Sequence, residues 1–358
     1  MAGLTLDEER DGEPPTLKAV QQFDPHRETE ATLRLVHEVT VAAEAEDLPD
    51  DPPTPLEQRL LRWRAPLPSH VEVTRSYIRE GDSVLAVGYT QRWPVDDPDN
   101  SYVWLTVHPE HRRQGLGRAM FGEFLADLEG SGSKKVIVDC VEGRPWAGAL
   151  ERWGLTRSLT EKRSRLRLDN VDWALMERWM ERAAERAVAY EVLHLESPIP
   201  EQHIEQWCRV NGVMNTAPLE DLELEDQVMT PKKWRELERM YAERGDRVLA
   251  SVAVHRPSGE FAGFTDVFVQ EYQPDLARQH DTAVDPVHRE RGLGRLIKAA
   301  MIKRIAVEHP EVTRIDTDNA GSNTAMLGIN IEMGFKTILT INAWQGAIAT
   351  ARARLSGV

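Results

Sequence analysis

Two stretches of this chain carry the residue types that hold an anionic phosphate. Residues 107–118 read VHPEHRRQGLGR and residues 284–295 read VDPVHRERGLGR. Both fit V-x-P-x-H-R-x-x-G-L-G-R, with Gly115 and Gly292 in register. Each follows an apolar run and precedes an amphipathic one, so the pattern is strand, glycine-rich turn, helix. The first N–H groups of such a helix lack an intrahelical acceptor. Glycine lets a ligand approach that backbone and permits positive φ. The helix dipole adds partial positive charge, so the turn suits a phosphate or pyrophosphate. Val107, Arg112, Gly115, Gly117 and Arg118 form the first set; Val284, Arg289, Arg291, Gly292, Leu293, Gly294 and Arg295 form the second. Neither copy is a P-loop, which needs Lys then Ser or Thr after its last glycine. Neither has the third glycine of a dinucleotide fingerprint.

A phrase repeated half a chain apart means two copies of one domain rather than a solenoid. The elements around each copy support that reading. Val71–Arg79, Ser83–Arg92 and Tyr102–Val107 read as strands before the first phrase, and Arg118–Leu128 as the helix after it. Val248–His255, Phe261–Val269 and Asp281–Val284 precede the second, and Arg295–Glu308 follows it. Mixed strands, hairpins and helices predict an α/β (α+β) fold made twice, each unit a mixed, mostly antiparallel sheet flanked by helices. The expected division is a disordered lead (1–16), an N-terminal domain (17–170), a linker helix (171–187) and a C-terminal domain (188–358).

Composition narrows the partners. A net charge of −15 over 358 residues argues against nucleic acid, whose phosphates need basic surface, and is compatible with a cationic substrate. No apolar run is long enough to span a membrane, and the acidic start lacks a signal peptide's layout, so the expected compartment is the cytoplasm. Two cysteines, Cys140 and Cys208, make neither a disulfide framework nor a metal spacing, and no metal is expected.

The phrase resembles the acetyl-CoA-binding motif of the Gcn5-related N-acetyltransferases (GNAT), and its duplication most closely resembles the tandem GNAT proteins of actinobacteria. The resemblance runs from about Leu17 to about Ala343. It implies that the turn's amides hold the pyrophosphate of coenzyme A and that the reaction is attack of a primary amine on an acetyl thioester. The family's second element, N-x-x-A-x-x-L-Y-x-x-x-G-F, is partly kept in the second copy: Asn323, Gly334 and Phe335 match, and Asn330 stands where Tyr protonates the departing thiolate. An amide is no general acid, so the proton would come from water or another side chain. Asn319, just upstream, joins Asn323 in the implied cofactor set. In the first copy Gly143, Leu150 and Leu155 replace the Asn, Tyr and Phe. That copy is expected to be degenerate and the C-terminal copy catalytic.

An alkylammonium must lose a proton before attack, and the resemblance places the base near the second phrase. His280 and Asp281 are the candidates, His280 as base and Asp281 to orient the amine. Adjacent strand residues point to opposite faces, so only one is expected in the cleft. Asp266, Glu271 and Asp316 are weaker candidates. A backbone N–H at or beside Val284 is the expected oxyanion donor. Substrate loops are expected at Pro49–Pro68 and Val213–Thr230. Of the tryptophans, Trp63, Trp93, Trp104, Trp207, Trp234 and Trp344 are read mainly as packing, with cleft lining as the alternative. The leading expectation is an acetyl-CoA-dependent N-acetyltransferase acting on a small-molecule amine, as monomer or homodimer. The alternatives are a protein lysine or N-terminal acetyltransferase and a non-catalytic coenzyme A-binding module.

Overall fold

The computed structural model describes residues 19–357; the expected disordered lead lies outside them. The N-terminal half runs β1 (Val20–Phe23), α1 (Glu30–Asp47), α2 (Leu56–Arg64), β2 (Glu72–Glu80), β3 (Ser83–Trp93), β4 (Asp97–Val107), α3 (Leu116–Gly130), β5 (Lys135–Val141), α4 (Ala147–Arg152), β6 (Thr156–Arg167) and α5 (Trp173–Arg186). The C-terminal half repeats it: β7 (Tyr190–Glu196), α6 (Ile204–Asn211), α7 (Pro231–Glu243), β8 (Asp246–His255), β9 (Glu260–Gln270), β10 (Leu276–Val284), α8 (Leu293–Glu308), β11 (Arg314–Ala320), α9 (Thr324–Met333), β12 (Lys336–Ala347) and α10 (Ile348–Ser356). The amphipathic runs after the two phrases become α3 and α8. Each starts at a left-handed glycine, Gly115 or Gly292, and α3 buries Leu116, Met120, Phe121, Phe124, Leu125 and Leu128 at helical spacing. Among the described residues no helix is long and apolar enough to cross a membrane.

All the strands join one twelve-stranded sheet in the order β1-β2-β3-β4-β5-β12-β6-β11-β10-β9-β8-β7. The middle of that order departs from the order of the chain. β12 pairs with β5, and β6 pairs with β11, so each half's last strand lies beside the other half's strands. The helices that follow move with them. Ile348, Ala351 and Leu355 of α10 sit in the core around α3, while Met176 and Trp179 of α5 sit in the core with Met301 and Ile302 of α8. The sequence boundaries place β6 with the first half and β12 with the second; the sheet sets each against the other half. The expected linker helix, α5, is thereby part of the C-terminal core.

The exchange is held by charge as well as apolar contact. Arg165 on β6 makes bidentate bonds to Asp316 on β11 (2.7 and 2.8 Å) and to Asp51 (2.6 and 2.7 Å), and Asp51 also accepts from Arg314 at 2.7 Å. Both arginines are largely buried, where such charge-assisted pairs resist exchange with water.

Candidate active site

The two phrases fold alike. In each, the strand runs into a single 3-10 turn and then an α-helix. Two residues per turn are left-handed: Arg113 (φ 65°) and Gly115 (φ 81°) in one, Glu290 (φ 64°) and Gly292 (φ 79°) in the other. Left-handed residues alternating with ordinary ones turn successive N–H groups to one side, an anion-binding concavity. A Cβ placed on Gly115 or Gly292 would meet nothing within 4 Å, so the space over each turn is open to a ligand. This geometry fits the pyrophosphate of coenzyme A.

The sheet opens beside each of these turns. β4 pairs with β5 only from Asn100 to Val103, and β10 with β11 only from Leu276 to Gln279. Beyond those points the parallel strands diverge, and the last residues of β4 and β10, ending at Val107 and Val284, lose their parallel neighbour. A cofactor arm can enter such a wedge and meet strand-edge N–H groups.

The arginines of the phrase mostly brace the turn. Arg112 and Arg289 occupy the same place, and each donates Nε to the last carbonyl of its strand, Val107 O (3.3 Å) and Val284 O (2.9 Å). Their outer nitrogens differ. Arg112 meets the Glu46 carboxylate at 2.7 and 3.1 Å, whereas Arg289 meets the neutral Thr216 hydroxyl at 2.7 Å. Arg291 bonds only to backbone carbonyls, Val287 O and Arg289 O. Arg118 donates to Leu355 O, and Arg295 pairs with Glu332 at 2.6 Å. The C-terminal turn therefore keeps Arg289 and Arg291 without carboxylate partners; Glu290, where the first copy has Arg113, offsets part of that charge.

The second element also differs from the expectation. Asn323 caps α9, accepting from the Met326 N–H at 3.2 Å. Asn330 is buried and donates to Asn319 at 2.6 Å, leaving its own Oδ1 without a partner. Asn319 and Asn330 are thus brought together, and Asn323 spends its carbonyl on the helix end.

β10 carries a bulge between Gln279 and Thr282. A bulge cancels strand alternation, so His280 and Asp281 both reach the same cavity instead of facing apart, which corrects the sequence expectation. Asp266, on β9 behind them, is 1% exposed and accepts the Asp281 N–H at 2.7 Å. His280 Nδ1 lies 3.3 Å from a carboxylate oxygen of Asp266 and 3.3 Å from one of Asp281. Half of the His280 side chain is exposed, and it lines the cavity. Burial opposes the imidazolium, yet Asp281 and Asp266 outweigh it and hold His280 at about 10. Burial, together with Asp266 and against the pull of His280, lifts Asp281 to about 6. At neutral pH His280 is therefore a cation and not a base, a second correction. These three side chains can each bring one donor atom within 4.8 Å of the others, as a metal site would, and an ion there would have to displace the His280 proton.

The cavity, about 640 Å³, lies between the halves. Both expected substrate loops reach it, the first through Arg62, Trp63 and Leu67, the second through Met214, Gln227 and Met229. The first of these is not all loop, since α2 forms within it. Trp63, Trp93 and Trp234 line this cavity and Trp104 a second one, while Trp207 is wholly buried in the core. The second cavity, about 580 Å³, opens at the N-terminal wedge beside Trp104, Leu105 and Arg112.

Tyr241 is a cavity residue that spacing missed. It lies on α7, packs edge-on against Phe268 at 4.8 Å and lines the cavity with His280 and Asp281. Burial and the nearby Asp266 raise its phenol, which keeps its proton. The pairing of Tyr102 with Asp139 (3.1 Å) in the first half was equally invisible, because β4 and β5 are joined only by the sheet.

The model of the acetyltransferase (GNAT) family matches residues 37–154, from α1 through the first phrase to Gly154. Those residues form a GNAT domain. A duplicated form of that fold extends over 92% of the chain. A tandem GNAT protein from the clavulanic acid biosynthesis pathway superposes with a TM-score of 0.73 at 22% identity, covering 92% of this chain and 98% of that one. A GCN5-related N-acetyltransferase from Sphaerobacter thermophilus gives 0.64 at 14% identity, covering 93% and 96%. No curated protein matches the chain. The matched GNAT domain supports acetyl-CoA-dependent acetyl transfer as the general chemistry of this protein. The family match falls on the copy whose second element is the more eroded in sequence.

Proposed function

We propose that this protein acetylates the primary amine of a small molecule at a site in its C-terminal half. The bulge in β10 carries the reading: it turns His280 and Asp281 together into the interdomain cavity, immediately after the strand's last pair with β11 at Gln279. The cavity's volume is that of a small-molecule site, too small for a folded protein surface to enter.

When bound, acetyl-CoA supplies an activated thioester. The residues of the chain do the rest. The left-handed turn at Glu290–Gly292, with Arg289 and Arg291, holds the pyrophosphate. Val284, at the open end of β10, offers an N–H toward the reacting carbonyl. Asp281 holds the acceptor ammonium and takes its proton, backed by the buried Asp266. Tyr241 keeps its proton in the same cavity and fills the donor role that Asn330 cannot. A second reading has specific support in the family match to residues 37–154 and the cavity at the N-terminal wedge: the first turn also holds coenzyme A.

Thiol release from acetyl-CoA across an amine panel tests both. Gly292→Glu should abolish release, and Gly115→Glu should spare it. The reverse pattern moves the working site to the first half. Tight coenzyme A binding with no release for any amine would instead favour a non-catalytic module.

A further inference from the structure

The acceptor cavity contains two arginines that nothing in the protein satisfies. Arg75 on β2 comes from the first half, and Arg244, which caps α7, from the second; both line the cavity that holds Asp281. Among the described residues neither forms a hydrogen bond or an ion pair through its side chain, and Arg244 Nε is buried without an acceptor. The other basic side chains of this wall each have a carboxylate nearby: Arg59 meets Glu44 at 2.6 Å, Arg62 faces Asp246 at 3.7 Å and His70 lies 3.9 Å from Glu236, although Arg59 Nε and His70 Nδ1 are buried without a hydrogen bond. Burial works against the charge on both arginines, and each is close enough to other cations to be further disfavoured: Arg75 by Arg244, and Arg244 by Arg62. Tyr89 and Asp24 act on Arg75 in the opposite sense, as do Asp246, Tyr241 and Tyr89 on Arg244, each more weakly than the neighbouring arginine.

Unpaired, partly buried cations that repel one another are a net cost to the fold, so their presence in a cavity points to a ligand that satisfies them. Guanidinium geometry selects a planar, bidentate anion. We infer that the acceptor bears a carboxylate as well as its amine, and that Arg75 and Arg244 hold that carboxylate in the same cavity in which Asp281 holds the amine. The inference rests on the acceptor cavity proposed above and narrows its substrate class to amino acids and related zwitterions. One arginine comes from each half, so the acceptor site is complete only in the duplicated protein.

Calorimetric titration of the full chain without coenzyme A separates this inference from the catalytic reading. The probes are a library of α- and β-amino acids and dipeptides, each beside its amide, plus inorganic phosphate. The free acids should bind at least about ten-fold more tightly than their amides. Arg75→Met and Arg244→Met should bring that ratio to about one. Both variants should also raise the melting temperature of the ligand-free protein, since each removes a repelling, partly buried charge; a purely structural arginine would lower it. Equal binding of acids and amides, retention of the preference in both variants, or phosphate binding better than every acid would overturn the inference. Acids that bind with this preference but are never acetylated would leave it standing and defeat the acetyl-transfer reading alone.

Discussion

The Asp266 carboxylate accepts the backbone N–H of Asp281 at 2.7 Å from a position 1% exposed. That one bond pins the β10 bulge to β9 and fixes where both His280 and Asp281 point. A buried carboxylate so placed is a structural anchor and a source of negative charge at once.

Asp266→Asn should separate these roles. The amide can still accept the Asp281 N–H, but it no longer stabilises the imidazolium. His280, now held at about 10 by Asp281 and Asp266, should titrate at lower pH. The sign follows: a raised histidine stabilises the fold fully below its unfolded value and loses that contribution as pH rises through the folded one. Imidazole nitrogen shifts recorded against pH would show the displacement.

Asp281 sets the acid limb of activity. Its carboxyl, raised to about 6, is protonated below that pH and cannot hold an ammonium. The acceptor kcat/KM should rise as pH rises through about 6. Asp281→Asn should remove that inflection and lower kcat/KM about 10–100-fold. An unchanged inflection in the variant would assign it to another group.

Gly292→Ala isolates backbone strain from contact. The added methyl has open space, yet φ is 79°, so the substitution should cost about 1–2 kcal/mol of stability without a clash. Denaturant unfolding measures it, and Gly115→Ala should give a similar value.

Lys298 lies wholly inside the C-terminal core, its Nζ 5.5 Å from the Phe335 ring and without a hydrogen bond. Burial lowers it from 10.5 to about 7. Between those values the unfolded chain carries a proton that the folded chain lacks, so stability rises with pH across that window. The full penalty stands below it. Lys298→Met should therefore stabilise by about 2–4 kcal/mol at slightly acid pH, with the gain shrinking toward zero above the window. Urea unfolding at the two pH extremes decides it.

The exchanged strands predict that the halves do not separate. A fragment ending after α5 retains β6 but lacks β12, leaving an open edge on β5 and a bare face on α3. Such edges recruit other chains, so the fragment should elute as a dimer or larger species in size-exclusion chromatography. A stable monomer would refute the dependence.

The duplicated phrase, the turns and their helices were legible in the sequence because their signals are local. Glycine at Gly115 and Gly292 marks positive φ, and apolar spacing marks the helix that follows. The α+β class followed from the same periodicities. The tertiary structure alone decided three matters. Strand exchange was hidden, because periodicity says nothing about which strand a strand will pair with. The common direction of His280 and Asp281 was hidden, because a bulge is one extra residue that pairing exposes and spacing does not. The cavity was hidden most completely: Arg75, Tyr241, Arg244 and Asp281 are scattered along the chain, and only folding two halves into one sheet sets their charges against one another.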